Sequence, residues 1–237
     1  MRPIQRLDNG SDFPPSCEAL DYPNGLLAVG GDLTPQRLLA AYRRGIFPWY
    51  EEPQPVLWWT PDPRSVLFPD ELHISRSLCK TLRRDKFHLA VDGQFTEVMR
   101  QCAQLRMDGL GTWIDDDMIA AYSTLQALGF AHSIEVLGKD GALLGGLYGV
   151  ALGQVFFGES MFSRADDASK VALVALVYIL RRGGFQMIDC QVQSEHMNSL
   201  GARSINRLDF EHRLAQTVGI ETDTGIWQLP ATCGGLP

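Results

Sequence analysis

No stretch of this 237-residue chain is long and apolar enough to suggest a membrane span. The longest uncharged run, Gly141 to Gly158, has 18 residues but carries six glycines and Gln154, which fits a β-hairpin better than a spanning helix. The opening residues, MRPIQRLDNG, lack the apolar core of a secretory signal, so the chain is expected in the cytoplasm. Cysteine is sparse and scattered. Cys17, Cys79, Cys102, Cys190 and Cys233 are odd in number and contain no C-x-x-C pair, which argues against a disulfide framework and offers no zinc-ligand spacing. Internal repeats and low-complexity tracts are also missing. Excess positive charge is lacking too: the formal net charge of −7 excludes indiscriminate attraction to nucleic acid.

What cation density there is lies in one place. Between Glu71 and His88 stand Arg76, Lys80, Arg83, Arg84 and Lys86 against two acids, so the window is positive and the remainder more acidic still. Arg76, Lys80, Arg83 and Arg84 follow i, i+4, i+7, i+8 spacing and form one stripe on a helix. Taken alone such a run is a solvated face. On an acidic body it is also the footprint expected for phosphate contacts that orient a polyanion.

Two acids stand in apolar surroundings. Glu159 lies inside GGLYGVALGQVFFGESMFS, a glycine-rich strand pattern, and a buried carboxylate there needs either a fixed structural partner or a role in a cleft. In FQMIDCQVQ, period-two alternation puts Ile188, Cys190 and Val192 on one face and Asp189, Gln191 and Gln193 on the other. That segment follows a helix stop at Gly183-Gly184 and reads as an interior strand leading into a site, the alternative being a solvated edge.

With 45% hydrophobic residues the chain has enough apolar surface for one large or two modest domains. Residues 1–63 are rich in proline and tryptophan and hold one clear helix, with Thr34 as N-cap, Pro35 in the first turn and Gly45 as the stop. The flanking apolar segments are too short to bury a core alone, so this small N-terminal domain is expected to lean on the rest. Residues 64–237 alternate helices and strands. Helices are expected at the basic stripe and over 95–106, 115–128, 167–182 and 208–218, and strands over 132–136, 142–150, 154–162 and 185–192. The fold class is α/β (α+β), with a mixed, mostly antiparallel sheet.

The order strand, hairpin, strand, long helix, strand resembles the centre of the acetyltransferase-like N-acyltransferase fold. The coenzyme A users of that fold present a glycine-rich loop to pyrophosphate at the helix start. Here the equivalent stretch, FSRADDASK, has no glycine and sets Asp166 and Asp167 in its place, which disfavours an acyl-CoA donor.

PNGLLAVGGDL, AYRRGIFPWY, GTWI, GGLYGVALG, GESMFSR, ASK, IDCQ and HMNSLGA, in this order from Pro23 to Ala202, together resemble the bacterial leucyl/phenylalanyl-tRNA-protein transferases. One departure is Leu137, where the resemblance leads one to expect tryptophan. The resemblance implies an aminoacyltransferase that moves Leu or Phe, and Met less well, from aminoacyl-tRNA to proteins with N-terminal Arg or Lys, marking them for N-end-rule degradation. The reaction is ester aminolysis, which requires no metal and no covalent enzyme intermediate, so no cofactor is expected. The chain is expected to act as a monomer.

In that reading Asp189 and Gln191 are the catalytic candidates: Asp189 collects the amine's proton or holds the ammonium electrostatically, and Gln191 orients the amine or the carbonyl. The resemblance places the Leu/Phe cavity around Leu147 and Phe156, with Leu176 as a wall. Glu159 holds either the donor's α-amino group or the acceptor's cationic side chain. By alternation Phe156 and Glu159 face oppositely, so lining one cleft together requires a β-bulge at Gly158. Trp49 and Trp113 match the family's tryptophans and are candidates for stacking the 3′ adenosine, while Trp58 and Trp59 are expected to pack at the domain junction. Arg76, Lys80, Arg83 and Arg84 are expected to meet acceptor-stem phosphates. Competing readings are a Cys190–His196–Asp189 thiol hydrolase, disfavoured because Cys190 should face away from Asp189, a coenzyme A acyltransferase, and a non-catalytic aminoacyl-tRNA binder.

Overall fold

The computed structural model of the chain describes residues 3–8, 10–107 and 114–236. Up to Pro63 the elements are short: β1 (Gln5–Leu7), β2 (Leu26–Gly30), α1 (Pro35–Tyr42), β3 (Phe47–Pro48) and β4 (Leu57–Trp59). Thr34 caps α1 by accepting the Arg37 N–H, and Gly45 adopts the left-handed backbone that ends the turn after it. The four strands make one small sheet in the order β1-β2-β4-β3, of which the sequence shows only short apolar segments. Trp58 lies fully buried at its centre, edge-on to Phe13 and donating its indole N–H to the Gly30 carbonyl at 2.8 Å. Trp58 thus packs, as expected, but within the small sheet itself, where the expectation was the domain junction.

The remaining elements are β5 (Arg64–Leu67), α2 (Arg76–Arg83), β6 (His88–Val91), α3 (Phe95–Met107), α4 (Asp116–Ala127), β7 (Ala131–Leu137), β8 (Leu143–Leu152), β9 (Val155–Ser163), α5 (Ala168–Arg182), β10 (Met187–Gln191), α6 (Glu195–Ser199), β11 (Arg203–Ile205) and α7 (Arg207–Thr217). Seven strands form one sheet in the order β11-β5-β10-β9-β8-β7-β6. Every neighbouring pair is antiparallel except β10 with β9, so the sheet is mixed and mostly antiparallel, as the pattern implied. The predicted helices and the β7–β8–β9 meander fall within a few residues of their expected bounds. Strands β5, β6 and β11 escaped the sequence reading, being three or four residues long with no room for a period to show.

Each face of this sheet has its own apolar layer. On one side lie α1, α3 and α4 with the small sheet, contributing Leu38, Tyr42, Val98, Met99, Tyr122 and Leu125. On the other lies α5, which buries ten of its fifteen residues and packs with Leu78 and Leu82 of α2. A helix apolar on most sides belongs between layers, and α5 is covered by the sheet, α2 and the C-terminal segment. The linker before β5 is pinned to α7, whose Arg207 donates from its backbone to Asp62 and from its guanidinium to the Thr60 carbonyl. The small sheet is therefore held against the large one at the end where β9 and β10 separate.

Candidate active site

That separation makes the site. Registered pairing between β9 and β10 covers only Met187–Asp189 against Val155–Phe157. Beyond it, Gly158, Glu159 and Ser160 of one strand and Cys190 and Gln191 of the other line a pocket of about 400 Å³. Leu147, Phe156, Met161, Leu173, Leu176 and Ile188 form its apolar wall, and Phe47, Pro48 and Trp49 close it from the small sheet. A parallel pair that parts midway opens a route through the sheet, so side chains from both faces reach one cavity.

A bulge adjusts what faces in. Gly149 pairs with Gly158 and Tyr148 with Ser160, which leaves Glu159 as the extra residue of β9. The expected bulge is thus present, displaced by one residue from Gly158 onto Glu159 itself, and Phe156 and Glu159 both line the cavity. Glu159 is buried, and its partners supply the structural explanation for a carboxylate in that strand: Tyr42 of α1 donates to Oε1 at 2.7 Å, Tyr122 of α4 donates to Oε2 at 3.2 Å, and Gln191 Nε2 donates to Oε1 at 2.9 Å. The two tyrosine hydroxyls also meet each other in a short hydrogen bond. Each phenol carries one proton, so with Glu159 ionised one hydroxyl donates to the other, and all three contacts are filled at once only when the carboxyl itself is protonated. Burial pushes the Glu159 carboxyl up to about 7, the hydrogen bonds from the tyrosines and Gln191 partly offsetting that and the negative charge of Asp189 adding to it. Burial and the nearby Glu159 charge raise both tyrosines well above their ordinary range, so they remain neutral donors.

Asp189 is placed differently from the sequence reading. It has no exposed surface and is not among the residues that line the pocket. Arg64 of β5, itself fully buried, donates Nε to Oδ1 at 2.8 Å and Nη2 to Oδ2 at 2.7 Å, and the backbone N–H of Gln191 donates to Oδ1 at 2.9 Å. A carboxylate so enclosed does not line the pocket, which, of the two roles expected for Asp189, favours the electrostatic one over collecting the amine's proton. The guanidinium is flanked by the rings of Phe47 at 4.8 Å and Phe210 at 4.6 Å. The strict alternation expected for this strand also fails. Asp189 pairs with Val66 and Gln191 with Ser65, leaving Cys190 as an extra residue, and Gln191 adopts φ +61. Cys190 therefore turns to the pocket beside Gln191, where burial and the Asp189 charge raise its thiol far above its ordinary range. A thiolate nucleophile is disfavoured on that ground as well.

Leu147, Phe156 and Leu176 are buried and line one pocket together. Trp49 lines its mouth, 39% exposed, with its ring 5.7 Å from that of Trp59, whose indole donates to the Trp49 carbonyl. Trp113 lies outside the described residues. On α2 and its C-cap, Arg76, Lys80, Arg83 and Arg84 are all exposed while Leu78 and Leu82 face the core, so the stripe is real. Thr81 of the same helix donates to Asp167 at 2.8 Å, and Lys170 reaches the other oxygen at 3.0 Å. The start of α5 thus already holds an occupied carboxylate where a pyrophosphate would need bare N–H groups. His196, on the pocket rim, has its pKa lowered by burial and by Lys170.

Sequence reasoning missed Tyr42, Tyr122 and Arg64. Each reads as an ordinary residue of an apolar helix face or short strand, and their partners lie 117, 37 and 125 positions away. The one signal that could have found them was the need of Glu159 and Asp189 for partners.

Among known proteins, a family described as leucyl/phenylalanyl-tRNA protein transferase matches residues 66–215, and the N-terminal domain of that family matches residues 31–62. The chain is 59% identical over 215 residues to a leucyl/phenylalanyl-tRNA-protein transferase of Nitrosospira multiformis, covering 91% of this chain and 92% of that one. It is 53% identical over 232 residues to that of Nitrosomonas europaea, covering 98% of each. Among solved structures, L-PGS from Bacillus licheniformis aligns with a TM-score of 0.41 and 10% identity over 71% of this chain and 53% of that one, too distant to add to these similarities.

Proposed function

This chain belongs to the leucyl/phenylalanyl-tRNA protein transferase family, and from that premise we propose that it moves Leu or Phe, and Met less well, from the 3′ end of aminoacyl-tRNA to the α-amino group of proteins that begin with Arg or Lys. The observation that carries the reading is a pocket of about 400 Å³, apolar in its depth, with one titratable carboxylate and one carboxamide at the place where two strands part. The pocket holds the donor side chain by excluding water from it.

At the pocket mouth the ester carbonyl meets the acceptor's amine. An α-amine has an ordinary pKa of about 7.7 to 8.0 and arrives largely protonated at neutral pH. Glu159, whose own pKa stands at about 7, is matched to hold that ammonium and take its proton. The neutral amine attacks the carbonyl carbon, and negative charge develops on the carbonyl oxygen. Gln191 carries two N–H donors on its carboxamide, one of which goes to Glu159, and the second serves this oxygen. Collapse of the tetrahedral adduct forms the peptide bond, breaks the ester C–O bond and leaves the 3′ hydroxyl of the tRNA, which takes up the proton. Asp189 keeps an electrostatic and positioning role: anchored by Arg64, it holds the Gln191 backbone in its left-handed turn.

Trp49 stacks the terminal adenosine, an interaction worth about 1 to 3 kcal/mol, and Arg76, Lys80, Arg83 and Arg84 meet acceptor-stem phosphates. In this reading residues 1–63 and 64–237 are two units joined at the site, the protein works as a monomer in the cytoplasm, and no described helix is long and apolar enough to cross a membrane. The test is incubation of the pure protein with Leu-, Phe- and Met-charged tRNA and an Arg-initiated peptide. Transfer from Leu- and Phe-tRNA to that peptide and not to an Ala-initiated one is expected. Binding of charged tRNA without peptide product would reduce the protein to a carrier.

A further inference from the structure

The C-terminal segment after α7 lies beyond residues 66–215 that the family model matches, and one of its side chains packs behind a pocket-lining residue. Phe156 is a pocket residue with no surface exposed, and it has two fixed neighbours. One is Gly149, so close that a Cβ there would stand 2.6 Å from the Phe156 ring. The other is Trp227, whose ring centroid lies 6.2 Å from that of Phe156, within the usual range of an aromatic pair.

Trp227 is itself immobilised. It stacks on His132 at 3.6 Å and 16°, and His132 Nδ1 meets Asp92 Oδ2 at 2.7 Å. Phe185 meets it edge-on at 6.3 Å. Its neighbour Ile226 packs over Gly183, and the segment beyond is tied to β6 by the Leu89 N–H to Ala231 and Cys233 N–H to Phe87 hydrogen bonds, at 3.0 Å each. Trp227, behind Phe156, is thus held between His132 of β7 and Phe185.

We infer that Trp227 is a specificity-determining positioning residue: by blocking retreat of the Phe156 ring it sets the depth of the donor pocket and so the balance between leucine and phenylalanine. This rests on the transfer reading above. In the close-packed core around Phe156 the side toward Gly149 is closed by backbone and another side is occupied by the Trp227 ring. A smaller side chain at 227 opens that second side and deepens the cavity by a volume on the scale of the difference between the two donors. Differences of a methylene or more in an apolar pocket are worth about 10- to 200-fold in selectivity.

The experiment compares the full chain with Trp227→Leu and Trp227→Phe. It measures kcat/KM for Leu-tRNA and Phe-tRNA with the Arg-initiated peptide, and the relative affinities of amide-linked leucyl- and phenylalanyl-adenosine. Trp227→Leu is expected to raise the Phe-to-Leu ratio by about tenfold, with Trp227→Phe in between. A merely structural tryptophan would lower Tm and both rates together, so a ratio within twofold of the unsubstituted protein overturns the inference. If Trp227→Leu does not fold, Trp227→Phe decides by the same ratio. Should the unsubstituted protein transfer neither residue, the transfer reading fails, and the adenosine affinities still decide whether Trp227 governs pocket depth.

Discussion

Replacing Arg64 by methionine separates what the buried ion pair does for folding from what it does for chemistry. Side chains of Arg64 and Asp189 are 1% and 0% exposed, joined by two hydrogen bonds at 2.8 and 2.7 Å. Methionine approximates the bulk of the arginine stem but leaves the Asp189 carboxylate buried without its counter-ion. Removing one partner of such a pair costs about 3 to 5 kcal/mol, because the surviving charge stays desolvated. In a chain of this length that corresponds to a fall of roughly 6 to 20 °C in Tm. Urea unfolding followed by tryptophan fluorescence measures it, Trp58 being fully buried.

The double change Arg64→Met with Asp189→Leu sharpens the argument. Replacing both charges by apolar groups removes the desolvation penalty together with the attraction, so most of the lost stability should return. Transfer should not return, because the Gln191 N–H loses the oxygen that holds its left-handed turn, and the carboxamide loses its fixed place beside Glu159. The pair's worth to folding is then small and its worth to catalysis large. If Arg64→Met unfolds within 1 kcal/mol of the unsubstituted protein, the burial argument is wrong. Full transfer by the double variant would refute the positioning role.

Other outcomes follow from the same geometry. Glu159 has a folded pKa of about 7 against its ordinary 4.5, so the folded state holds its proton more tightly than the unfolded state does. Its contribution to stability is therefore fully present below about pH 4.5 and declines as pH rises through about 7. Glu159→Gln should remove that share of the decline, read as a smaller drop in Tm between pH 5.5 and 8, and an unchanged drop would acquit the carboxylate. In the unsubstituted protein, transfer should show an acid limb near pH 7, since only ionised Glu159 accepts the amine's proton, and a rate flat from pH 5.5 to 8 would contradict this. Reversing Arg83 and Arg84 to glutamate should weaken tRNA binding and flatten its salt dependence by about 0.9 log units per log salt for each phosphate no longer neutralised. Titrations giving the unsubstituted affinity and slope would take the α2 stripe out of the tRNA footprint.

The sequence was legible where a period or a cap could run its course. Thr34 and the glycines at 45, 183 and 184 announced helix ends, and the β7–β8–β9 meander showed through turns and apolar runs. Strands of three or four residues such as β5 and β11 left no such trace, and β5 carries Arg64. Alternation misassigned the face of Asp189 because it presumes an unbroken ladder. The extra residue at Cys190 and the positive φ of Gln191 reset the face midway, and neither has a composition signal of the kind glycine would give.

That reset also explains how two acids on adjacent strands acquire opposite uses. Each arrives in the sequence as a carboxylate in an apolar strand, indistinguishable by composition. Asp189 meets a guanidinium clamped between Phe47 and Phe210, with its oxygens engaged and no surface open, so it is held in place as the partner of Arg64. The hydrogen-bond partners of Glu159 among the described residues are two neutral phenols and a neutral amide, which stabilise its anion without a compensating charge, and the negative charge of Asp189 opposes its ionisation. A carboxylate that is buried, hydrogen-bonded and left without a counter-ion is the one poised to exchange a proton near neutrality. In the proposed transfer an arriving ammonium supplies the counter-ion that Glu159 does not have among the described residues, so the burial that raises its carboxyl to about 7 would also favour binding of the acceptor's N-terminus.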